Sequence, residues 1–135
     1  MLTLASIKNL LTKSIYFVLV FPQADLGVDI YMELSQGFNV GPESRRCFLK
    51  LQKNIYGLKQ AGHNWFKKIY IALENLSINP SKVDPCVFIG DEIIVLIYVD
   101  DCMIFSREKD KKNQLINKLK NKDKLDLIDE GDVNK

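Results

Sequence analysis

The sequence predicts an α+β fold, because a helix-like segment is followed by strand-like segments short enough to form antiparallel hairpins. Leu58–Leu76 carries an apolar stripe with helical spacing, and Pro80 lies just beyond it. The runs Cys86–Ile89, Glu92–Tyr98 and Cys102–Phe105 are separated by two short turns. With 135 residues, 47% of them hydrophobic and 27% charged, the chain suits one domain with a packed core.

The N-terminal half predicts one helix and three strands. Leu2–Leu11 has helically spaced apolar residues and predicts an amphipathic helix. Ile15–Phe21 is a continuous aromatic and β-branched run, typical of a buried strand, and Pro22 is expected to end it. Two shorter strands are predicted over Asp29–Leu34 and Cys47–Leu51.

The C-terminal half predicts a three-stranded meander followed by a helix. Gly90-Asp91 is a two-residue hairpin signal between the first two strands. Asp100 and Asp101 fall at the second turn. Ser106 is placed to cap a final helix that runs to about Lys120.

Several classes of protein are disfavoured by composition. The three cysteines are odd in number and lack C-x-x-C spacing, so neither a disulfide framework nor a zinc site is indicated, and a reduced, intracellular setting is expected. His63 is the only histidine, which excludes a multi-histidine metal site. Apolar runs reach about seven residues against the roughly 20 of a membrane helix, so no membrane partner is expected.

Two adjacent carboxylates end the sequence YVDD at 98–101, between the apolar runs Ile93–Ile97 and Cys102–Phe105. Like charges this close repel unless a cation holds them, and oxygen ligands of this kind suit Mg²⁺ or Mn²⁺. The alternative is a solvated hairpin turn, because Asp is a common turn residue. The pair Asp100 and Asp101 is therefore a candidate metal site that needs support from its surroundings.

The segment from Pro42 to Lys68 is basic and contains aromatic residues, with Glu43 as its one acid. Cations for phosphates and ring faces for bases are what a nucleic-acid groove requires. The alternative, about equally favoured, is an amphipathic segment with core aromatics and solvated lysines. The basic residues are Arg45, Arg46, Lys50, Lys53, Lys59, Lys67 and Lys68, and the aromatic ones are Phe48, Tyr56, Trp65 and Phe66.

Four ordered blocks resemble those of copia-type retrotransposon reverse transcriptases: FPQADLGVDIYMELSQGF, LQKNIYGLKQAGHNWF, DPCVFIGDEIIVLIYVDD and LIDEGDVNK. The resemblance implies that residues 1–135 form a right-hand polymerase palm with part of the fingers, without the upstream fingers, the thumb or the ribonuclease H domain. It implies RNA-directed DNA polymerisation by two-metal nucleotidyl transfer, with a template-primer and a dNTP as partners, Mg²⁺ or Mn²⁺ as cofactor, and a cytoplasmic location.

The resemblance also assigns the site residues. Asp100 would bridge both metal ions and Asp101 would be more peripheral, but the family's third carboxylate falls on Tyr16. A neutral phenol supplies neither the charge nor the bidentate reach of a carboxylate. Asp25 and Asp29 are poor substitutes, because using either would break the FPQA match. Negligible polymerase activity is therefore expected from this chain alone.

Three further residues match nucleotide-binding positions of the family. Phe21 corresponds to the aromatic gate beneath the incoming sugar, with a core phenylalanine at a strand end as the alternative. Gln60 corresponds to the glutamine that contacts the incoming nucleotide, and Lys59 beside it could meet phosphate. His63 stands where relatives often carry Arg. A palm lacking its neighbours would also leave apolar surface uncovered, which favours self-association.

Overall fold

The chain was analysed as a computed structural model, which describes residues 3, 8–35, 37, 41 and 47–133. It is an α+β structure, as predicted, with two antiparallel sheets and three helices among these residues. The strands are β1 Leu11–Phe17, β2 Tyr31–Glu33, β3 Phe48–Lys50, β4 Asn79–Pro80, β5 Val87–Gly90, β6 Ile93–Tyr98, β7 Asp101–Ser106 and β8 Leu127–Asp132. The helices are α1 Val20–Gln23, α2 Ala61–Glu74 and α3 Lys109–Asn121.

The main sheet has six strands in the order β4-β5-β6-β7-β1-β8, and β2 pairs only with β3. The strands β5, β6 and β7 form a meander, and β1 pairs with β7 although the two are distant in sequence. Alternate side chains of β1, β6 and β7 point to one face, where the apolar faces of α2 and α3 cover them. The core residues include Ile15, Phe17, Trp65, Ile69, Leu73, Val95, Ile97, Ile104, Leu115 and Leu119.

The strand predicted over Ile15–Phe21 has different bounds. Strand β1 begins at Leu11 and ends at Phe17, and after a turn the chain enters α1 at Val20. Periodicity alone cannot separate a buried strand from a buried helical turn in a continuous apolar run. Pro22 lies inside α1 and does not end a strand, because the first turn of a helix tolerates a residue without an N–H.

The helix predicted over Leu2–Leu11 lies mostly outside the described residues. Its end is wrong, since Leu11 already belongs to β1 and Lys8 and Asn9 form a turn. The two short strands of the N-terminal half are confirmed as β2 and β3, and the long helix is confirmed as α2, each shorter than predicted.

In the C-terminal half, the ends of the strands and of the last helix differ from the predicted ends by one to three residues. Gly90 pairs with Ile93, so the residues of the first hairpin turn are Asp91 and Glu92. The last helix begins at Lys109; the Ser106 hydroxyl accepts the Glu108 N–H at 3.1 Å, ahead of the helix.

Strand β8 was not predicted, because its sequence LIDEGD lacks apolar alternation. Ion pairs fasten it to the helix-covered face of the sheet. The buried Lys112 ammonium lies 3.1 Å from Asp132 Oδ1 and lowers the pKa of that carboxyl, and Lys13 lies 2.7 Å from Asp129 Oδ2. Charge pairing therefore replaces apolar packing along much of this edge strand.

Among the described residues, no helix has the length and apolar character needed to cross a membrane.

Candidate functional site

The two adjacent aspartates lie where β6 turns into β7. Tyr98 pairs with Asp101 across the two strands, which leaves Val99 and Asp100 as the turn residues. We call residues 98–101 the acid turn. Asp100 is half-buried and Asp101 is exposed. Val99 has φ of 56°, a left-handed conformation that a β-branched residue rarely adopts and that costs about 1–3 kcal/mol.

Strand β1 places Tyr16 beside the acid turn. The Cα register pairs Tyr16 with Asp101, and the N–H of Phe17 donates to the Asp100 carbonyl at 2.8 Å. The Tyr16 hydroxyl donates a hydrogen bond to the Asp100 carboxylate. That bond and the negative charge of Asp100 raise the pKa of Tyr16 above its ordinary value near 10. The structure thus brings together Tyr16, Asp100 and Asp101.

Helix α2 supports the acid turn from the core side. The indole N–H of Trp65 donates to the Val99 carbonyl at 2.7 Å. The same ring is buried and packs edge-on against Phe17, with 5.2 Å between ring centroids. The prediction that Trp65 belongs to the core is confirmed, but its polar contact with the acid turn could not be read from helical spacing.

The negative charge of the acid turn has no cationic partner in the described part of the chain. Ion pairs form elsewhere, but none of them includes Asp100 or Asp101. Nor do the described residues contain a group of three or more His, Cys, Asp or Glu side chains placed to hold a metal ion. Cys102, next to Asp101, is fully buried; burial strongly raises the pKa of its thiol and keeps it neutral.

The two aspartates rejected as substitutes for Tyr16 pair with lysines away from the acid turn. Asp25 Oδ1 lies 3.7 Å from the Lys53 ammonium, and Asp29 Oδ1 lies 2.8 Å from that of Lys50. Asp25 is also held through its backbone, since its carbonyl accepts a hydrogen bond from the Asn54 carboxamide at 2.8 Å. Tyr16, and not Asp25 or Asp29, is the residue that the strand register places beside the acid turn.

Phe21 lies in α1, and not at the end of a strand as its core alternative supposed. Its half-buried ring packs edge-on against Tyr56, with centroids 4.5 Å apart. Tyr56 in turn is close enough to Tyr16 to contribute to its raised pKa. Phe21 thus packs against Tyr56, whose phenol lies in the neighbourhood of Tyr16.

Three of the family-matched residues lie at the start of α2: Lys59 precedes the helix, Gln60 is its N-cap and His63 is in its first turn. Gln60 is half-buried at the N-terminal cap, where its carbonyl accepts the Asn64 N–H at 2.9 Å. Lys59 and His63 are exposed. None of these three side chains forms a hydrogen bond or an ion pair with the acid turn among the described residues.

Some aromatic residues of the basic segment belong to the core, and others are exposed. Trp65 is buried, and Phe66 packs near Phe88 with centroids 6.3 Å apart, so both are core residues. Phe48 and Tyr56 are exposed. Lys50 and Lys53 are neutralised by aspartates, as described above, and Arg45 and Arg46 lie outside the described residues.

The side-chain amides of Gln23 and Asn54 hold neighbouring segments together, and the sequence analysis did not predict them. The Gln23 side chain donates to the carbonyls of Val18 and Asp126 and accepts the Asp126 N–H at 2.8 Å, which joins α1 to the start of β8. The fully buried Asn54 donates to the Ala24 carbonyl at 3.0 Å. Gln23 lies in FPQA and Asn54 lies in QKNIYG. Their position inside these family blocks was the sequence feature that could have identified them.

Comparison with known proteins extends over the whole chain. Residues 1–135 match the family described as reverse transcriptase (RNA-dependent DNA polymerase). The chain is similar to the Retrovirus-related Pol polyprotein from transposon TNT 1-94 of Nicotiana tabacum, with 34% identity over 80% of the chain. It is also similar to the Transposon Ty1-GR1 Gag-Pol polyprotein of Saccharomyces cerevisiae, with 31% identity over 62% of the chain.

These relatives are much longer proteins, and the chain spans 8% of the tobacco protein and 5% of the yeast protein. No solved structure matches the chain. The composition would also allow an unrelated small α+β binding domain in which YVDD arose by chance. That interpretation is wrong, because the family match covers every residue. The chain therefore belongs to the reverse transcriptase (RNA-dependent DNA polymerase) family, in the copia-type group that its four sequence blocks predicted.

Proposed function

We propose that this chain is a palm segment, with part of the fingers, of an RNA-directed DNA polymerase in which one catalytic carboxylate has been replaced. Asp100 and Asp101 would be the surviving metal ligands of a two-metal nucleotidyl-transfer site. Family membership and the adjacency of the two aspartates on one turn support this assignment.

The observation that carries the proposal is the position of Tyr16, which pairs with Asp101 across β1 and β7 and lies close enough to Asp100 for that carboxylate to raise its pKa. Two divalent ions need several negatively charged oxygen ligands around them, and the position nearest Asp100 offers a neutral phenol. The donor set of Tyr16, Asp100 and Asp101 therefore does not fit a pair of Mg²⁺ or Mn²⁺ ions. We accordingly propose that this chain alone has negligible polymerase activity.

The nucleotide-binding roles of Phe21, Gln60 and Lys59 belong to the same proposal. The connection of Phe21 to Tyr16 through Tyr56 is consistent with a ring near an incoming sugar. Gln60 and Lys59 lie on a different element, at the start of α2, where they would contact the nucleotide from the fingers side. The template-primer, the dNTP and an intracellular, cytoplasmic setting are likewise proposed from the family.

Primer extension on an RNA template tests the proposal. The unaltered chain, Tyr16→Asp and the double variant Asp100→Asn/Asp101→Asn would be assayed in parallel with Mg²⁺ and with Mn²⁺. We expect the unaltered chain to be indistinguishable from the double variant. Extension clearly above that control would contradict the assigned inactivity. Calorimetric titration with Mn²⁺ should show tighter binding to Tyr16→Asp than to the unaltered chain.

A second candidate function, non-catalytic binding of single-stranded nucleic acid, is favoured by the exposed rings of Phe48 and Tyr56 within the basic segment 42–68. Base stacking on such rings is tolerant of sequence. Fluorescence anisotropy with a labelled RNA oligonucleotide should show salt-dependent binding that Phe48→Ala and Tyr56→Ala weaken. Equal binding by these variants would exclude this function.

Self-association through the open face of the main sheet also stays a proposal. The exposed side chains of Tyr98, Val99 and Ile128 lie on or beside this face. Apolar groups grouped in this way favour contact with other chains. Sedimentation velocity over a range of concentrations would reveal a dimer.

A further inference from the structure

The hydrogen bond from Trp65 to Val99 is the only polar contact that α2 makes with the acid turn among the described residues. The donor is the indole N–H, the acceptor is the Val99 carbonyl, and the two heavy atoms are 2.7 Å apart. Trp65 is 2% exposed and Val99 is 45% exposed, so the bond joins a buried donor to an exposed turn. At 2.7 Å the bond is at the short end of the N–H···O range, and its donor is shielded from water inside the core.

Val99 needs such a partner because its backbone conformation is unfavourable. At φ of 56°, the Cβ atom crowds the backbone, and the second methyl group of valine makes the crowding worse. Without an external bond, the peptide joining Val99 to Asp100 could rotate and relieve this strain. The carbonyl of Val99 and the N–H of Asp100 lie in one rigid plane, so a bond that holds the carbonyl also orients Asp100.

The next carbonyl along the turn is held by a neighbour of the same tryptophan. The Asp100 carbonyl accepts the Phe17 N–H at 2.8 Å, and the Phe17 ring packs edge-on against Trp65. The Trp65–Phe17 pair thus fixes two successive peptide groups of the acid turn. In the same register, Tyr16 lies opposite Asp101, beside these two peptide groups.

We propose that Trp65 is the positioning residue of the acid turn, whose indole N–H holds Val99 in its left-handed conformation and directs Asp100 toward position 16. The inference goes beyond family membership and deepens the proposed function, on which it rests only in treating Asp100 as a site residue. Its test measures local opening of the turn and involves neither metal nor nucleotide, so it can fail independently of the proposed function.

Native-state amide hydrogen exchange on the full chain tests this role. Trp65→Phe removes the N–H donor and keeps an aromatic ring. We expect exchange at the Phe17 amide to accelerate about tenfold, which corresponds to about 1.4 kcal/mol. The amide of Ser81, which donates to Val87 at the far side of the sheet, should change by less than about twofold.

A matched control separates positioning from packing. Phe88 is fully buried on β5 and contacts Tyr70 of α2, with ring centroids 6.1 Å apart, and it pairs with Val95, three residues before the acid turn. Phe88→Leu should therefore accelerate exchange throughout the sheet without singling out Phe17. If Trp65→Phe gave the same uniform pattern, Trp65 would be a core residue only and the proposal would be wrong.

Rescue at position 99 provides the decisive comparison. Glycine adopts positive φ without the penalty that valine meets, so Val99→Gly in the Trp65→Phe background should restore most of the protection at Phe17. Absence of rescue would overturn the proposal.

If Trp65→Phe fails to fold, the unaltered chain still gives an answer. It has a single tryptophan and hence one indole N–H resonance. That proton should exchange at least about tenfold more slowly than a solvent-exposed indole. Exchange at the solvent-exposed rate would refute the bond.

Discussion

The two hairpin turns of the meander place the same kind of charge in opposite surroundings. The β5–β6 turn carries Asp91 and Glu92, and the ammonium of Lys111 lies 3.6 Å from Asp91 Oδ2 and 2.6 Å from Glu92 Oε2. The acid turn between β6 and β7 carries Asp100 and Asp101 and has neutral donors instead, Trp65 at the backbone and Tyr16 at the carboxylate. In both turns the first or second loop residue has positive φ, 56° at Glu92 and at Val99.

The comparison separates two ways of holding a pair of carboxylates. At the β5–β6 turn one lysine pairs with both carboxylates and offsets part of their charge. At the acid turn the neutral donors fix the geometry and leave the charge in place. This second arrangement leaves the carboxylates available to a cation, as the proposed function requires of them.

The largest effect that would test this difference is expected at Trp65. Trp65→Ala removes a buried ring and the only side-chain donor to the Val99 carbonyl among the described residues. We expect the free energy of unfolding to fall by about 3–5 kcal/mol in urea denaturation. A loss below about 1 kcal/mol would show that the acid turn does not depend on α2.

The next effect concerns the charge of the acid turn. Tyr16→Asp adds a third carboxylate directly opposite Asp101, so repulsion should lower Tm in the absence of metal. Mn²⁺ should then raise Tm, because it binds only the folded site. Tyr16→Asn, of similar size and neutral, is the control and should not respond to Mn²⁺. An equal response of both variants would indicate that the pocket no longer accepts a cation.

A smaller effect is expected at alkaline pH. The pKa of Tyr16 is raised in the folded state, so its hydrogen bond to Asp100 contributes fully below the unfolded-state pKa near 10. The contribution is lost as the pH rises through the folded-state pKa. The difference in unfolding free energy between the unaltered chain and Tyr16→Phe should be constant from about pH 7 to about pH 9 and should shrink above about pH 10. A constant difference throughout would exclude the bond.

The smallest effect is expected at the β5–β6 turn. The hydrogen bond and charge of Lys111 lower the pKa of Glu92, so this pair stabilises the fold above the unfolded-state pKa near 4.5. The contribution disappears as the pH falls through the lower folded-state pKa. Glu92→Gln should therefore lower stability slightly at neutral pH and low salt, and not at all in strong acid or high salt. A loss of unfolding free energy as large as that of Trp65→Ala would show that the β5–β6 turn depends on its ion pair as much as the acid turn depends on Trp65.

Much of the fold could be predicted because the central elements bury one regular face. Helix α2 and strands β5, β6 and β7 follow the apolar periods of their segments closely. Strand β8 could not be predicted in this way, since it is fastened by ion pairs to Lys13 and Lys112, which are distant in sequence. The end of β1 was misjudged because Phe17 and Val20 are both fully buried although one is in a strand and the other in a helix.

The candidate site, like the fold, could be predicted from the sequence only in part. The neighbourhood of Tyr16 and Asp100 follows from the sequence once the family blocks fix the register. The hydrogen bond from Trp65 does not, because an apolar position on a helix gives no information about where its polar edge points. The contact between Phe21 and Tyr56 likewise depends on the short helix α1. That helix could not be recognised within the continuous apolar run Ile15–Phe21.

The position of Trp65 has a practical consequence for any study of this protein. The only indole in the chain is hydrogen-bonded to the turn that carries Asp100 and Asp101, so its intrinsic fluorescence reports on that turn without an added label. A cation, a nucleotide or a second protein that altered the turn would change the emission wavelength or its accessibility to quenchers. The chain thus contains its own optical probe at the position where its relationship to a polymerase can best be examined.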